Sequence, residues 1–199
     1  IMNQSALKMR QCEYTTSTGK KIYVFRDVYN YDRQLNLLDW CVRQNYRFRP
    51  STEGVLIGLK SDLVLSAHPG LELPQLAEQF SLNDEKLKPI VDIIGNEREL
   101  KAHWINANIS KTSPHFHPDS FKKGSLSMLY YANVKWDLSW DGYTVWASDD
   151  LNNIEHVEFP EPGKIVIFDS SIPHKPTAAG PEAPSFRYTM NTVWEPLNS

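Results

Sequence analysis

The second half of the chain carries short, apolar, strand-like segments at fairly even spacing, and this pattern restricts the fold more than any other feature. Turn-forming residues separate the segments, as in Asp141-Gly142 and Glu161-Pro162-Gly163. Many short strands in succession are typical of a sandwich or barrel. We therefore predict a mainly β fold, with strands at 102–109, 125–134, 143–147, 155–159, 164–168 and 186–194.

The first hundred residues mix helical and strand patterns. Apolar residues near helical spacing predict helices at 31–43, 73–80 and 85–94, the last beginning at Asn83 or Asp84 and ending near Gly95. Short apolar runs predict strands at 22–25 and 55–59. We predict one α+β domain over 2–199, in which 2–100 support a β core at 101–196.

The composition limits which classes of binding partner and which cellular compartment we expect for this protein. The 199 residues carry a formal net charge of −3, which argues against a general nucleic-acid binder. No apolar run is long enough to span a membrane, and neither a signal-peptide pattern nor a paired-cysteine motif is present. The prediction is a cytoplasmic protein without nucleic-acid or membrane partners, and the oligomeric state stays open.

The segment Ser113-Pro114-His115-Phe116-His117-Pro118-Asp119 contains the first candidate site residues. On a strand, residues two apart point the same way, so His117 and Asp119 would project together. His174, at the end of a strongly apolar strand, is the natural third ligand. Two histidines and one carboxylate on one face, with other coordination positions open, are typical of non-haem iron(II) oxygenases. His115 is a rival ligand, for which we favour a supporting or substrate-facing role.

A second candidate site lies in the last predicted strand. Arg187 and Thr189 share one strand face. A guanidinium binds a carboxylate through two parallel hydrogen bonds, and a hydroxyl two residues on can add another. An arginine buried in a β barrel is costly without an anionic partner. We predict that this partner is the distal carboxylate of 2-oxoglutarate.

These residues together resemble a known enzyme family. His117-x-Asp119, His174 and Arg187-x-Thr189 match, in order and type, the signature of iron(II)- and 2-oxoglutarate-dependent dioxygenases. The segments at 130–136 and 162–168 resemble the "YYLN…W" and "PGRLVLF" segments of the prolyl-4-hydroxylase-like branch. The resemblance covers about residues 101–194.

The resemblance implies a double-stranded β-helix, the jelly-roll or cupin-like fold. It implies hydroxylation of an unactivated C–H bond, coupled to decarboxylation of 2-oxoglutarate to succinate. The implied cofactors are Fe(II), 2-oxoglutarate and O2, with ascorbate as a supporting reductant. By the same likeness, Tyr131 assists Arg187 at the distal carboxylate, and Asn106 or Asn108 contacts the cosubstrate near the iron.

Several alternatives stay open from sequence. The branch commonly has "GGET" where this chain has Asp141-Gly142-Tyr143-Thr144, so the substrate is a prolyl residue in a peptide or protein, or a free small molecule. A cupin-type metal-binding protein, a cupin isomerase and a zinc hydrolase share the ligand triangle, but they do not need Arg187-x-Thr189. Three tryptophans offer a substrate wall or ordinary packing, of which we favour packing: Trp136, Trp140 and Trp146.

Overall fold

The computed structural model describes residues 8–50, 63–108, 114–184 and 186–197. Its strands in chain order are β1 Arg10–Thr15, β2 Lys21–Arg26, β3 Arg47–Pro50, β4 Leu63–Ala67, β5 Arg98–Asn108, β6 Leu126–Tyr131, β7 Thr144–Ala147, β8 Ile154–Glu158, β9 Ile165–Asp169, β10 His174–Pro176 and β11 Arg187–Pro196. The helices are α1 Tyr31–Val42, α2 Leu73–Gln79 and α3 Lys88–Ile94. The predicted strand at 55–59 lies outside the described residues.

Capping residues mark the start of α1 and both ends of the segment that contains α3. The Asn30 side chain accepts a hydrogen bond from the Arg33 amide at the start of α1. Asp84 caps a 3-10 turn, Glu85–Leu87, that leads into α3. Gly95, with φ of +72°, ends α3. The three predicted helices are therefore confirmed, the last one divided into a 3-10 turn and an α-helix.

All named strands pair antiparallel, in two sheets that face each other. The large sheet has the order β1-β2-β9-β6-β11-β5-β4-β3, and the small sheet has the order β10-β7-β8. All six strands predicted in the second half are present. The double-stranded β-helix fold is therefore confirmed. β1 to β4, from the predicted support region, extend the same large sheet.

β11, inside the large sheet, is buried on both of its faces. Tyr188 and Met190 point into a cluster that includes Leu37 of α1 and Ile90 of α3. Alternation along the strand places Arg187 and Thr189 on the opposite face, toward the small sheet. The apolar residues of that opposite face form a second cluster with Trp146 of the small sheet and with Ile172, and its members are Ile22, Val24, Leu129, Tyr131, Trp146, Val166, Phe168 and Ile172.

Among the described residues, no helix is long and apolar enough to cross a membrane. Both cysteines are free thiols, Cys12 exposed and Cys41 buried.

Candidate metal and dicarboxylate site

His117, Asp119 and His174 lie together where the small sheet meets the 114–120 segment. One potential ligand atom from each of the three lies within 4.8 Å of those of the other two. A single antiparallel bridge joins the two histidines, with N–O distances of 3.0 and 2.9 Å. The expectation that His117 and Asp119 lie on a regular strand is wrong, because only His117 makes this bridge and Asp119 lies in a bend. His174 likewise begins β10 and does not extend the apolar strand β9.

Both imidazole rings are oriented by the carbonyl group two residues earlier in the chain. His117 Nδ1 lies 3.0 Å from the His115 carbonyl oxygen, and His174 Nδ1 lies 3.1 Å from that of Ile172. A proton on each Nδ1 completes these bonds and leaves Nε2 with its lone pair. His117 Nε2 lies 4.0 Å and His174 Nε2 3.5 Å from the Asp119 carboxylate.

The surroundings of His174 favour the neutral, metal-binding form of its ring. Burial lowers the pKa of His174, and the neighbouring His117 lowers it further, while the Asp119 carboxylate acts in the opposite direction. Phe168 packs edge-on against the ring with a centroid separation of 4.7 Å. Two neutral imidazole nitrogens and one carboxylate oxygen form a donor set that fits iron(II).

The rival ligand His115 is not part of this group. It is exposed, and its carbonyl oxygen orients the His117 ring. Within the described ranges, His117, Asp119 and His174 form the one cluster of three ligating side chains that is compact enough for a metal ion. The backbone of His115 thus supports a candidate ligand, and a supporting or substrate-facing role of its side chain stays a prediction.

Arg187 is a buried cation that has no counterion among the residues that the structure describes. Its side chain is 1% exposed, and its Nη2 donates a 2.7 Å hydrogen bond to Thr144 Oγ1. Its Nε has no hydrogen-bond partner, and no carboxylate in the described part of the chain forms an ion pair with it. Burial lowers the pKa of Arg187, opposed by the neighbouring Tyr131. An unpaired buried guanidinium is costly, so the site fits an anionic ligand.

A second buried cation near Tyr131 is already neutralised. Lys164 Nζ lies 5.9 Å from the centroid of the Tyr131 ring, and the guanidinium carbon of Arg187 lies 5.1 Å from the same centroid. Lys164 forms a 2.6 Å ion pair with Glu158, which also pairs with Arg26 at 3.1 Å. Of these two cations beside Tyr131, Arg187 is the one for which the described part of the chain supplies no anion.

Tyr131 and Thr144 complete the polar surroundings of Arg187. The Tyr131 hydroxyl donates to Thr144 Oγ1 at 2.8 Å, and burial raises the pKa of Tyr131 to about 12, so it stays protonated. Because Thr144 Oγ1 accepts from both Tyr131 and Arg187, its own hydrogen is available to donate to a ligand. The sequence analysis missed Thr144, although it stands two residues after the Asp141-Gly142 turn.

Gly142 lies close to the Arg187 side chain. It has a φ of +77°, and a Cβ built on it would lie 3.0 Å from Arg187 Cδ. Glycine therefore allows both the backbone conformation and the close approach of this turn to the guanidinium.

The other predicted cosubstrate residues line the same face of the large sheet. Arg187 is opposite Asn108, and Thr189 is opposite both Asn106 and Tyr131. Directly opposed residues of antiparallel strands project to the same side. Thr189 is buried and Asn108 is 4% exposed, whereas Asn106 is partly exposed.

The tryptophans serve mainly as packing residues, as the sequence analysis favours. Trp146 is fully buried and packs against Phe168, with 5.4 Å between ring centroids. Trp136 is buried and donates from Nε1 to the Asp141 carbonyl oxygen at 2.9 Å. Trp140 packs edge-on against Trp136 and is partly exposed.

No protein-family model and no curated protein matches the sequence, whereas many solved structures share its fold. A prolyl-4-hydroxylase from Pseudomonas putida is 17% identical, with a TM-score of 0.56 over 95% of this chain and 92% of that one. HygX from Streptomyces hygroscopicus, solved with nickel, 2-oxoglutarate and hygromycin B, is 12% identical, with a TM-score of 0.62 over 92% and 84%.

A third neighbour is a prolyl hydroxylase from Trichoplax adhaerens in complex with a hypoxia inducible factor peptide fragment. It is 15% identical, with a TM-score of 0.57 over 94% of this chain and 83% of that one. The chain therefore has the fold of 2-oxoglutarate- and iron-dependent oxygenases, including that of the prolyl-4-hydroxylase branch, as the sequence resemblance predicts.

Proposed function

We propose that this protein is an Fe(II)- and 2-oxoglutarate-dependent dioxygenase that hydroxylates an unactivated C–H bond. The observation that carries the proposal is the buried, unpaired Arg187 on the sheet face that adjoins the His117, Asp119 and His174 group. A metal-storage protein, a cupin isomerase or a zinc hydrolase gives no reason to bury a cation there.

In this proposal each residue has a defined task. His117 and His174 bind iron through Nε2, and Asp119 binds it through one carboxylate oxygen. Bound iron and 2-oxoglutarate supply the activation of dioxygen that is coupled to release of succinate and carbon dioxide. Three ligands on one side leave the remaining coordination positions to the cosubstrate and dioxygen.

At the other end of the cosubstrate, Arg187 supplies the charge that binds the distal carboxylate. Thr144 donates its free hydroxyl hydrogen to that carboxylate, and Tyr131 holds Thr144 in place. Thr189, Asn106 and Asn108 lie on the same sheet face as Arg187, and in this proposal they contact the cosubstrate. Enclosure of the carboxylate by buried groups excludes water and strengthens the ion pair.

The proposed substrate is a prolyl residue in a peptide or protein, or a free small molecule. Support for both comes from structural neighbours, since one was solved with a peptide fragment and another with hygromycin B. The action of residues 2–199 as one domain and a cytoplasmic location remain predictions.

The test combines cosubstrate binding with product analysis. Anaerobic addition of 2-oxoglutarate to the Fe(II)-loaded protein is expected to produce a visible charge-transfer band. Exposure to air is expected to yield succinate, with a gain of one oxygen on the true substrate by mass spectrometry. An Fe(II)-loaded protein that neither binds 2-oxoglutarate nor forms succinate would contradict the proposal.

A further inference from the structure

Behind the Asp119 carboxylate lies a pair of buried serines from two adjacent parts of the large sheet. Ser127 of β6 is 2% exposed, and Ser170, directly after β9, is fully buried. Ser127 Oγ donates a 2.6 Å hydrogen bond to Asp119 Oδ2. Ser127 Oγ also lies 2.9 Å from Ser170 Oγ.

The direction of these two hydrogen bonds follows from counting protons. An ionised carboxylate can only accept, so the single hydroxyl proton of Ser127 goes to Asp119. The bond between the two serines must then use the proton of Ser170, with Ser127 Oγ as the acceptor. The result is a chain of two hydroxyls that ends on one oxygen of the carboxylate.

The backbone anchors the same arrangement. The amide of Asp119 donates to the Ser170 carbonyl oxygen at 2.9 Å, and the amide of Ser120 does so at 3.3 Å. Ser170 thus holds the main chain of Asp119, and Ser127 holds its side chain. Oδ1, which takes no hydrogen bond from Ser127, lies 4.0 Å from His117 Nε2, whereas Oδ2 lies 3.5 Å from His174 Nε2.

We propose that Ser127 is a positioning residue that makes Asp119 a one-oxygen metal ligand, and that Ser170 orients Ser127 for this purpose. The inference rests on the proposed metal site. With Oδ2 committed to Ser127, the carboxylate occupies one coordination position and does not turn to take a second. Positions needed for the cosubstrate and dioxygen therefore stay open.

The test compares two variants of nearly equal shape, Ser127→Thr and Ser127→Val, which differ in whether the hydroxyl is present. Co(II) is the probe, with its affinity measured by calorimetry and its geometry followed by visible absorption. Ser127→Val is expected to bind Co(II) about 10–100-fold more weakly than Ser127→Thr, as for other residues that orient a ligand. A change in the Co(II) absorption band is expected only in Ser127→Val.

Ser170→Ala and Ser125→Ala complete the series. Ser170→Ala is expected to weaken Co(II) binding less than Ser127→Val, because Ser170 reaches the carboxylate only through Ser127. Ser125 is also buried, its hydroxyl lies 3.5 Å from that of Ser120, and it makes no hydrogen bond to Asp119 among the described residues, so Ser125→Ala is expected to bind Co(II) like the wild type. A loss in Ser125→Ala equal to that in Ser127→Val would mean that packing, and not the hydroxyl, is responsible.

Equal Co(II) affinity and equal spectra in Ser127→Thr and Ser127→Val would overturn the inference. Co(II) binding by the wild-type protein shows whether such a result refutes only the role of Ser127 or also the proposed function. If the wild type binds Co(II) and the two variants do not differ, only the role of Ser127 is refuted. If the wild type does not bind Co(II), the proposed metal site itself is refuted, and the role of Ser127 falls with it.

Discussion

Replacement of Arg187 by methionine is expected to raise the stability of the ligand-free protein while removing 2-oxoglutarate binding. Methionine is a flexible, unbranched apolar side chain that carries no charge. Replacement of a buried ion pair by apolar residues of similar volume stabilises proteins by about 1–4 kcal/mol in favourable cases, and a buried cation carries the same kind of desolvation cost. Loss of the hydrogen bond to Thr144 offsets about 1 kcal/mol of this gain. The free energy of unfolding should therefore rise by about 0–3 kcal/mol.

The affinity of Arg187→Met for 2-oxoglutarate should fall, although its free energy of unfolding rises. Each charge-assisted hydrogen bond contributes about 1.5–3 kcal/mol, so loss of the guanidinium weakens 2-oxoglutarate binding by about 10-fold or more. At a 2-oxoglutarate concentration about 100 times its Kd, the wild type should gain about 2.7 kcal/mol of stability. That gain corresponds to about 5–11 °C in Tm for a chain of this size, and Arg187→Met should show almost none of it.

The matched control is Lys164→Met, because Lys164 is the other buried cation beside Tyr131. Its removal strips a 2.6 Å partner from the buried Glu158, so the free energy of unfolding should fall. Thermal unfolding gives the Tm, and urea unfolding gives the free energy of unfolding. Both are measured with and without 2-oxoglutarate for the wild type, Arg187→Met and Lys164→Met. The reasoning is refuted if Arg187→Met lowers stability by more than about 1 kcal/mol, or if 2-oxoglutarate still raises its Tm as in the wild type.

Three further predictions concern single side chains near the proposed iron. His174→Ala should abolish Co(II) binding in calorimetry, whereas His115→Ala should retain it; equal losses would refute the ligand assignment. Gly142→Ala should weaken 2-oxoglutarate binding, since a Cβ there meets Arg187 Cδ at 3.0 Å; an unchanged 2-oxoglutarate Kd would contradict this. Asp119 occupies a position that halide would need, so the wild type in chloride-rich buffer should form no chlorinated product by mass spectrometry, and Asp119→Gly should lose hydroxylation.

The residues that sequence predicts best are those whose chemistry is unusual for their position. A histidine and an aspartate two residues apart, followed by His174 and then Arg187, have few other uses in a β fold. Their order along the chain was enough to predict which side chains converge. The local structure was predicted less well, because the bridge between His117 and His174 depends on a contact between distant segments.

Ser127 and Thr144 were not predicted, and the reason is physical. Hydroxyl residues are ordinary in strands, so neither residue type gives a signal of its own. What distinguishes Thr144 is that Tyr131 and Arg187, from two other strands, both donate to it. Such a convergence depends on the register between strands, and a single residue of slip would turn each side chain to the other face.

β1 was missed for a different reason. All six of its residues are exposed, so no alternation of apolar and polar side chains marks it as a strand. Its register with β2, from Arg10 opposite Arg26 to Thr15 opposite Lys21, is formed by backbone pairing at the edge of the sheet. An alternation of apolar and polar residues arises when one face of a strand is buried, so an edge strand without a buried face gives no such signal.

The two faces of β11 have different roles: one packs in the hydrophobic core, and the other carries residues of the candidate site. Tyr188 and Met190 pack toward the helices, and their burial holds the strand in register. That register then sets Arg187 opposite Asn108, and Thr189 opposite Tyr131. An unpaired guanidinium opposes folding, so the apolar face must supply the stability that keeps the cation buried before a ligand arrives. Packing of the residues on one face of β11 therefore stabilises the buried charge on its other face, so that the guanidinium is already in position when an anion binds.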